Sequence, residues 1–377
     1  MFAEDGGRVR AFPQAVGRVS FLNCDRQGMV WAGTAKGLMR VESPDAGELL
    51  PQGGDVYLSS AEDREGDLWL GTEAGGLAVL RDRKFSSLTA EDGLSEEYVL
   101  ALAQGADGAV WAGTKGGGLN VYRGGRFRAM TTAQGLASNV VFAVATAPNG
   151  DVWAGTPDGL NLIRDGRVRV LTTADGLADD FVRSLYVGRQ GGLWIGTRHG
   201  LSRYANGAFT TWTAADGLGS DLIGAMTQSR NGDLWIGTLG GLSRMHDGQF
   251  TNFTTQNGLS SNIVTALHED ADGTLWIGTN DGGLNRMRDG KIVPVARGLL
   301  PARVIGILED RLGYLWISSN SGVYRVSRAG LNGTASGGTA PEVMRFGVAD
   351  GMRISECSSG GHPAVLALRD RALWFAT

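Results

Sequence analysis

His268-Glu-Asp-Ala-Asp-Gly-Thr-Leu-Trp-Ile-Gly-Thr-Asn-Asp-Gly-Gly-Leu-Asn-Arg286 is the stretch whose reading decides the fold. Just upstream, Ile263 to Leu267 is a short β-prone run, and Asp270-Ala-Asp-Gly273 is a turn whose glycine takes positive φ at no steric cost. Leu275-Trp-Ile-Gly-Thr279 is a second β-prone run, Asp281-Gly-Gly283 turns again, and Leu284 to Met287 starts a third strand. Asp289-Gly290 makes the next turn. Repeats with a full outer segment add a fourth strand, as in Gln249-Phe-Thr-Asn-Phe-Thr254. Hairpin joined to hairpin gives one four-stranded antiparallel sheet.

The Trp-x-x-Thr signature recurs at Trp31, Trp69, Trp111, Trp153, Trp194, Trp235 and Trp276, degraded at Trp316, and again at Trp374. Spacings are 38 to 42 residues, except for 58 before the last copy, and of the 10 tryptophans only Trp212 stands outside the set. A period of about 40–45 residues with four strands per unit is the mark of β-propeller blades. A lone sheet of this size exposes both faces, so each blade needs neighbours to bury its tryptophan. Closing a ring supplies them. The expected fold is therefore all-β, a propeller of four-stranded antiparallel blades with nine repeats.

Composition fits that architecture. The 60 glycines follow no three-residue period and match many tight turns. A net charge of −4 gives no electrostatic reason to expect nucleic acid as a partner. No stretch is long and apolar enough to span a bilayer, and the residues after Met1 have neither a basic nor an apolar signal region. Cys24 and Cys357 lie in an early blade and in the last inter-blade segment, and are read as unpaired.

In chain order, Val9-Arg-Ala-Phe12 reads as the end of an outer strand and Val19-Ser-Phe-Leu22 as an inner one. The link from Leu38 to Val56 is irregular, with Ser43-Pro-Asp and Gly53-Gly-Asp in place of the usual connection. From Glu91 the connections become uniform: Asp92-Gly-Leu94, Gln134-Gly-Leu136, Asp175-Gly-Leu177, Asp216-Gly-Leu218 and Asn257-Gly-Leu259. Arg328 to Pro341 is a Gly/Ser/Thr/Ala-rich insertion, expected to be a flexible loop. Both ends fall mid-repeat, the expectation for a piece of a longer protein.

The run after Gly-Leu is taken as the innermost strand, the Trp strand as second, Gly-Leu-Asn-Arg as third and Phe-Thr-x-Phe as outermost. Outer-to-inner connections and second-to-third turns then share one rim around the channel mouth, where loops are free to vary on a rigid scaffold. Two sets of side chains are expected there. Fourteen residues before successive tryptophans stand Glu97, Asn139, Asp180, Asp221 and Asn262, with Ala302 breaking the series. A short polar residue at a uniform position favours turn capping over ligand contact. Directly after the Thr or its Ser319 equivalent stand Glu73, Lys115, Pro157, Arg198, Leu239, Asn280 and Asn320. That position is chemically heterogeneous, which turn-making does not require. Lys115, Arg198, Asn280 and Asn320 are the preferred candidates for holding a polar ligand, and their donors suit carboxylates and sugar hydroxyls equally. Asn139, Asp180, Asp221 and Asn262 complete the candidate rim.

No catalytic residue, metal site or cofactor is expected. The histidines (His199, His246, His268, His362) lack H-E-x-x-H spacing and read as surface or loop residues, with His199 on the rim. There is no Walker A sequence and no Gly-x-Ser-x-Gly elbow. Asp270-Ala-Asp-Gly273 lacks the remaining ligands of an EF-hand loop and reads as a hairpin turn.

Asn257-Gly-Leu-Ser-Ser-Asn-Ile-Val264, Glu269-Asp-Ala-Asp-Gly-Thr-Leu-Trp-Ile-Gly-Thr279 and Gly282-Gly-Leu-Asn-Arg286 resemble the two-component regulator propeller repeat. The resemblance covers essentially the whole chain. Asp350-Gly-Met-Arg-Ile-Ser-Glu-Cys-Ser-Ser-Gly-Gly361 and Arg369-Asp-Arg-Ala-Leu-Trp-Phe-Ala-Thr377 resemble the closing blade of such sensors. It implies a periplasmic, ligand-sensing, non-catalytic region of a bacterial membrane sensor. Its partners would be a small molecule such as a carbohydrate, a homodimer mate, and a downstream β-sandwich, membrane helix and histidine kinase or other output domain. Family sensors often carry two seven-bladed propellers in tandem. Counting seven tryptophans back from Trp374 reaches Trp111, so residues 1–90 would be two blades ending a preceding propeller and 91–377 a seven-bladed ring. A single eight- or nine-bladed ring is the competing partition. Competing functions are a glycan-cleaving or streptogramin-lyase-like propeller enzyme and a protein-binding scaffold.

Overall fold

A computed structural model describes residues 2–5, 8–11, 17–25, 29–43, 46–50, 56–63, 68–80, 85–335 and 338–377. The chain divides into two compact units, Met1–Ser86 and Ser87–Thr377. Every marker tryptophan lies on the second strand of its sheet, and strand order within each sheet follows the chain.

The first unit holds a hairpin (Phe2–Asp5 with Arg8–Ala11), a four-stranded sheet beginning at Val19–Cys24 and a three-stranded sheet beginning at Tyr57–Glu62. Trp31 packs with Tyr57, Leu68 and Leu70 of the following sheet. Phe12, Pro44-Asp45 and Gly53-Gly-Asp55, parts of the early outer strand and the irregular link, lie outside the described residues.

The second unit has six four-stranded antiparallel sheets followed by a hairpin. Blade 1 runs through Val99–Gln104, Val110–Thr114, Leu119–Arg123 and Arg126–Met130. Blades 2 to 6 start with inner strands Ala143–Thr146, Val182–Val187, Ile223–Gln228, Val264–Glu269 and Gly306–Glu309. Blade 7 is Val365–Ala367 paired with Leu373–Phe375.

Tryptophan burial couples one blade to the next. Trp276 of blade 5 is fully buried and packs with Ile307, Ile317 and Val326 of blade 6. Burying an aromatic of this size removes some 150–250 Å² from water, far more than one thin sheet can cover alone. Trp153 of blade 2 meets Tyr204 of blade 3 edge-on, with centroids 5.4 Å apart. Trp374 of blade 7 makes the corresponding contact with Tyr122 of blade 1 at 5.5 Å. Inner strands touch in sequence, and that of blade 7 touches those of blades 6 and 1. At this last junction the Val99 N–H donates to the Thr377 carbonyl at 3.3 Å. Blades 1 to 7 thus stand in a cycle.

One expectation is corrected. Arg328–Ala335, within the insertion read as a flexible loop, is an α-helix, α1. Its Leu331 is fully buried among blade 5 and 6 side chains. Arg328 reaches Glu309 and Asp272 at 3.2 Å each and Asp270 at 3.6 Å. Local composition disfavours this helix; tertiary burial and three carboxylates outweigh that weak preference.

A candidate ligand site in the central channel

The junctions after blades 1 to 4 are tied by the same small device. After the outer strand a threonine caps a short 3-10 turn: the Thr172 N–H donates to Asp175 Oδ2 at 2.9 Å, and Gly176 leaves the turn at φ 103°. A left-handed φ at this point explains the invariable glycine of the Gly-Leu connection. The chain then passes the second-to-third turn of its own blade, where the Gly159, Gly200 and Gly283 N–H groups donate to the carbonyls of Asp180, Asp221 and Ala302 at 2.8–2.9 Å. The connection and the turn therefore share one rim.

Asn139, Asp180, Asp221 and Asn262 use their side chains on this device. Their Oδ1 atoms accept from the N–H groups of Thr132, Thr173, Ala214 and Thr255 at 2.9, 2.7, 2.6 and 2.8 Å. All four sit on the expected rim, each already bonded within it. The third strand contributes a further tie. Asn161 and Asn285, both 0 % exposed, accept from the Ala137 and Ser260 N–H groups at 2.8 and 2.9 Å. The Asn of Gly-Leu-Asn is thus a buried polar staple, a role its position in the repeat did not disclose.

Inner strands carry an irregularity that shapes the bore. In blade 3, Val182 pairs with Thr197 but Ser184 pairs with Gly196, so Arg183 is an extra residue; Thr265 occupies the same bulge in blade 5. A bulge breaks two-residue alternation and re-aims a side chain. Arg183 and Thr265 accordingly line the bore, together with Arg303, which precedes the blade 6 inner strand.

Part of the bore is filled by the segment leading into blade 7. The His362 N–H donates to the Phe142 carbonyl at 2.9 Å, and the Leu102 N–H donates to that of Pro363 at 2.8 Å. A Cβ on Gly361 would stand 2.5 Å from the Phe142 oxygen and 2.6 Å from the Leu100 oxygen. Only glycine permits that approach to blades 1 and 2. Beside this segment a cavity of about 310 Å³ remains against blades 3 to 6. Leu222, Ile263 and Ile305 form an apolar wall, while Arg183, Arg303 and Asn280 present donors. His362 also lines it; its Nδ1 is closed off from solvent without a hydrogen-bond partner, and burial lowers the imidazole pKa to about 4. His362, read from sequence as a surface or loop residue, belongs to the channel interior.

Of the preferred rim residues, Asn280 borders this cavity, as does Leu239, 48 % exposed. Lys115, Arg198 and Asn320 do not line it. Lys115 lies over the Tyr98 ring at 4.7 Å. Arg198 lies 5.3 Å over Phe181 and 3.6 Å from Asp179, which also takes a close hydrogen bond from His199. Burial pushes the Asp179 pKa up, but the hydrogen bonds from His199 and the Phe181 N–H and the Arg198 charge outweigh it, so the net shift is downward. Asn320 is exposed. The structure therefore brings one of the four to the cavity and leaves three on the rim.

Arg183 escaped the sequence reading because alternation hides a bulge residue, and Arg303 and His362 because they lie ahead of their strands, where alternation says nothing of facing. A signal was present all the same. At the Arg183 position the blades carry Leu100, Phe142, Arg183, Gly224, Thr265 and Ile305, a chemically mixed set inside a uniform repeat.

Among the described residues no group of three or more His, Cys, Asp or Glu side chains is arranged to hold a metal. Asp270, the calcium candidate, instead accepts from the Thr274 N–H at 3.0 Å and Trp276 Nε1 at 2.9 Å. Cys24 and Cys357 are both free, and burial pushes the Cys357 thiol up to about 11.

A family model described as "two component regulator propeller" matches residues 50–74, 176–199, 217–240 and 258–281. A comparison with curated protein sequences returns no match. Among solved structures, the chain is similar to the extracellular domain of BT3049, described as a hybrid two component system, from B. thetaiotaomicron. Identity is 21 %, the TM-score 0.64, and the match covers 98 % of this chain and 56 % of that one. It is similar to PorZ, a surface component of the type-IX secretion system of Porphyromonas gingivalis, at 16 % identity and TM-score 0.55, covering 93 % and 56 %. It is also similar to the WD40 β-propeller domain of Doa1 at 10 % identity and TM-score 0.54, covering 75 % and 90 %. At such identities the likeness concerns the fold. The chain spans about half the length of the first two.

Proposed function

Because the chain carries two-component regulator propeller repeats, we propose that it is the ligand-sensing, extracytoplasmic part of a bacterial two-component sensor, periplasmic in location and non-catalytic. The carrying observation is the channel cavity: four blades and the blade 7 leader converge on it, and its 310 Å³ suits a small molecule. The similar BT3049 domain is described as extracellular, which agrees with the proposed location. No helix among the described residues is long and apolar enough to cross a membrane.

Lining chemistry favours binding over glycan cleavage. Glycoside hydrolysis ordinarily needs two carboxyl groups about 5–9.5 Å apart. The described residues lining the cavity include no Asp or Glu. Cyclic tryptophan packing leaves each blade little internal freedom, so occupancy would be transmitted as a rigid-body shift of the ring against neighbouring domains or a dimer mate.

The test is a calorimetric titration of the chain against neutral and acidic saccharides, organic acids and amino acids, with each hit followed by NMR for product. Saturable binding without turnover is the expected result. Product formation at catalytic protein concentrations would transfer the chain to the enzyme class, and failure of every compound to bind would remove the sensing role.

A further inference from the structure

The cavity is unlike the chain that surrounds it. The protein carries a net charge of −4, yet this lining has two arginines and no acid. Among the described residues neither Arg183 nor Arg303 has an ion-pair or hydrogen-bond partner. Several other arginines in the ring are engaged: Arg164 with Asp151, Arg353 with Glu97, and Arg328 with its carboxylates. Arg203 and Arg325 lie over Trp194 and Trp316. Desolvating a guanidinium without a counter-charge is unfavourable, and burial does lower the Arg183 pKa. Two elements place these cations on one cavity, blade 3 through its bulge and blade 6 through the residue ahead of its inner strand.

We propose that the central cavity binds a small organic carboxylate, its anionic end held by Arg183 and Arg303 and its body against Leu222, Ile263 and Ile305. This deepens the sensing role by naming the ligand class, and rests on it. A guanidinium fork matches a carboxylate in geometry and charge. The Asn280 amide offers an additional donor or acceptor to a hydroxylated body. A cavity of about 310 Å³ has room for one monosaccharide acid or small aromatic acid.

The experiment is calorimetry on the full 377-residue chain with two matched pairs, glucuronate against glucose and benzoate against benzamide, plus inorganic sulfate. At least one carboxylate is expected to bind, with its neutral partner at least tenfold weaker. Arg183→Gln and Arg303→Gln should each weaken that binding about ten- to a hundredfold, and Arg183→Lys should restore part of it. Circular dichroism and melting temperature of each variant establish that it is folded; neither substitution orphans a protein partner. Binding of neutral and acidic partners alike, binding of sulfate alone, or binding unchanged in both Gln variants would overturn the proposal. A neutral saccharide that binds independently of Arg183 and Arg303 would overturn it while leaving the sensing role intact.

Discussion

At the residue scale, Trp276 and Asn285 do the joining that the repeat pattern requires. Trp276 is 0 % exposed and fills the space between blades 5 and 6. Trp276→Ala should lower unfolding stability by about 3–5 kcal/mol, read by chemical denaturation. Asn285 is buried for a different reason: its amide oxygen takes the Ser260 N–H and its nitrogen donates to Ser260 Oγ at 2.8 Å. Asn285→Leu leaves that N–H without an acceptor and should cost about 1–3 kcal/mol. His362 yields a pH prediction. Its folded pKa of about 4 lies below the ordinary 6.5, so the unfolded chain takes up the proton first as pH falls. Stability should be unaffected above about 6.5 and should fall between 6.5 and 4. Denaturation series across that window should show a shallower fall in His362→Gln; an identical fall would mean that His362 is not the titrating group.

At the element scale, the segment before blade 7 and helix α1 are the parts that repetition does not explain. Gly361 lies against two backbone oxygens that cannot move aside as a flexible side chain would. Gly361→Ala should therefore displace the segment from blades 1 and 2, lowering the melting temperature and altering ligand affinity together; an unchanged melting temperature would show that the segment is not held there. Helix α1 depends on Arg328, which faces Asp270, Asp272 and Glu309. Arg328→Ala leaves those carboxylates without their cation, and limited proteolysis should then cut within 328–341 faster than in the wild type. Sequence composition pointed to a loop here because the insertion's Gly, Ser and Thr residues describe local preference alone. The burial of Leu331 comes from side chains of blades 5 and 6, Trp276 and Leu284 among them, which the insertion's own composition does not register.

At the scale of the whole molecule, stability resides in the cycle. Each blade covers its neighbour's tryptophan, and the last step, Trp374 on Tyr122, uses the same pairing as Trp153 on Tyr204. A chain shortened before Cys357 would uncover Tyr122 of blade 1 and Trp316 of blade 6, which pack on Trp374 and Phe375, an invitation to association. Light scattering should find it oligomeric, and calorimetry should find its transition broadened; a sharp monomeric transition would mean that the blades do not depend on closure.

The strand order, the turns and the connections were legible in the sequence because they are local. Two-residue alternation, Asp-Gly turns and the Gly-Leu step each act over a few residues and repeat about every 40. The capping role of Asn139, Asp180, Asp221 and Asn262 was foreseeable for the same reason. Three decisions belonged to the tertiary structure alone: which side chains face the bore, how far the blade 7 leader fills it, and which two arginines line one cavity. A bulge reverses the alternation by which facing is read, and Arg183 and Arg303 lie three blades apart. Only the curvature of the ring brings their charges to one cavity.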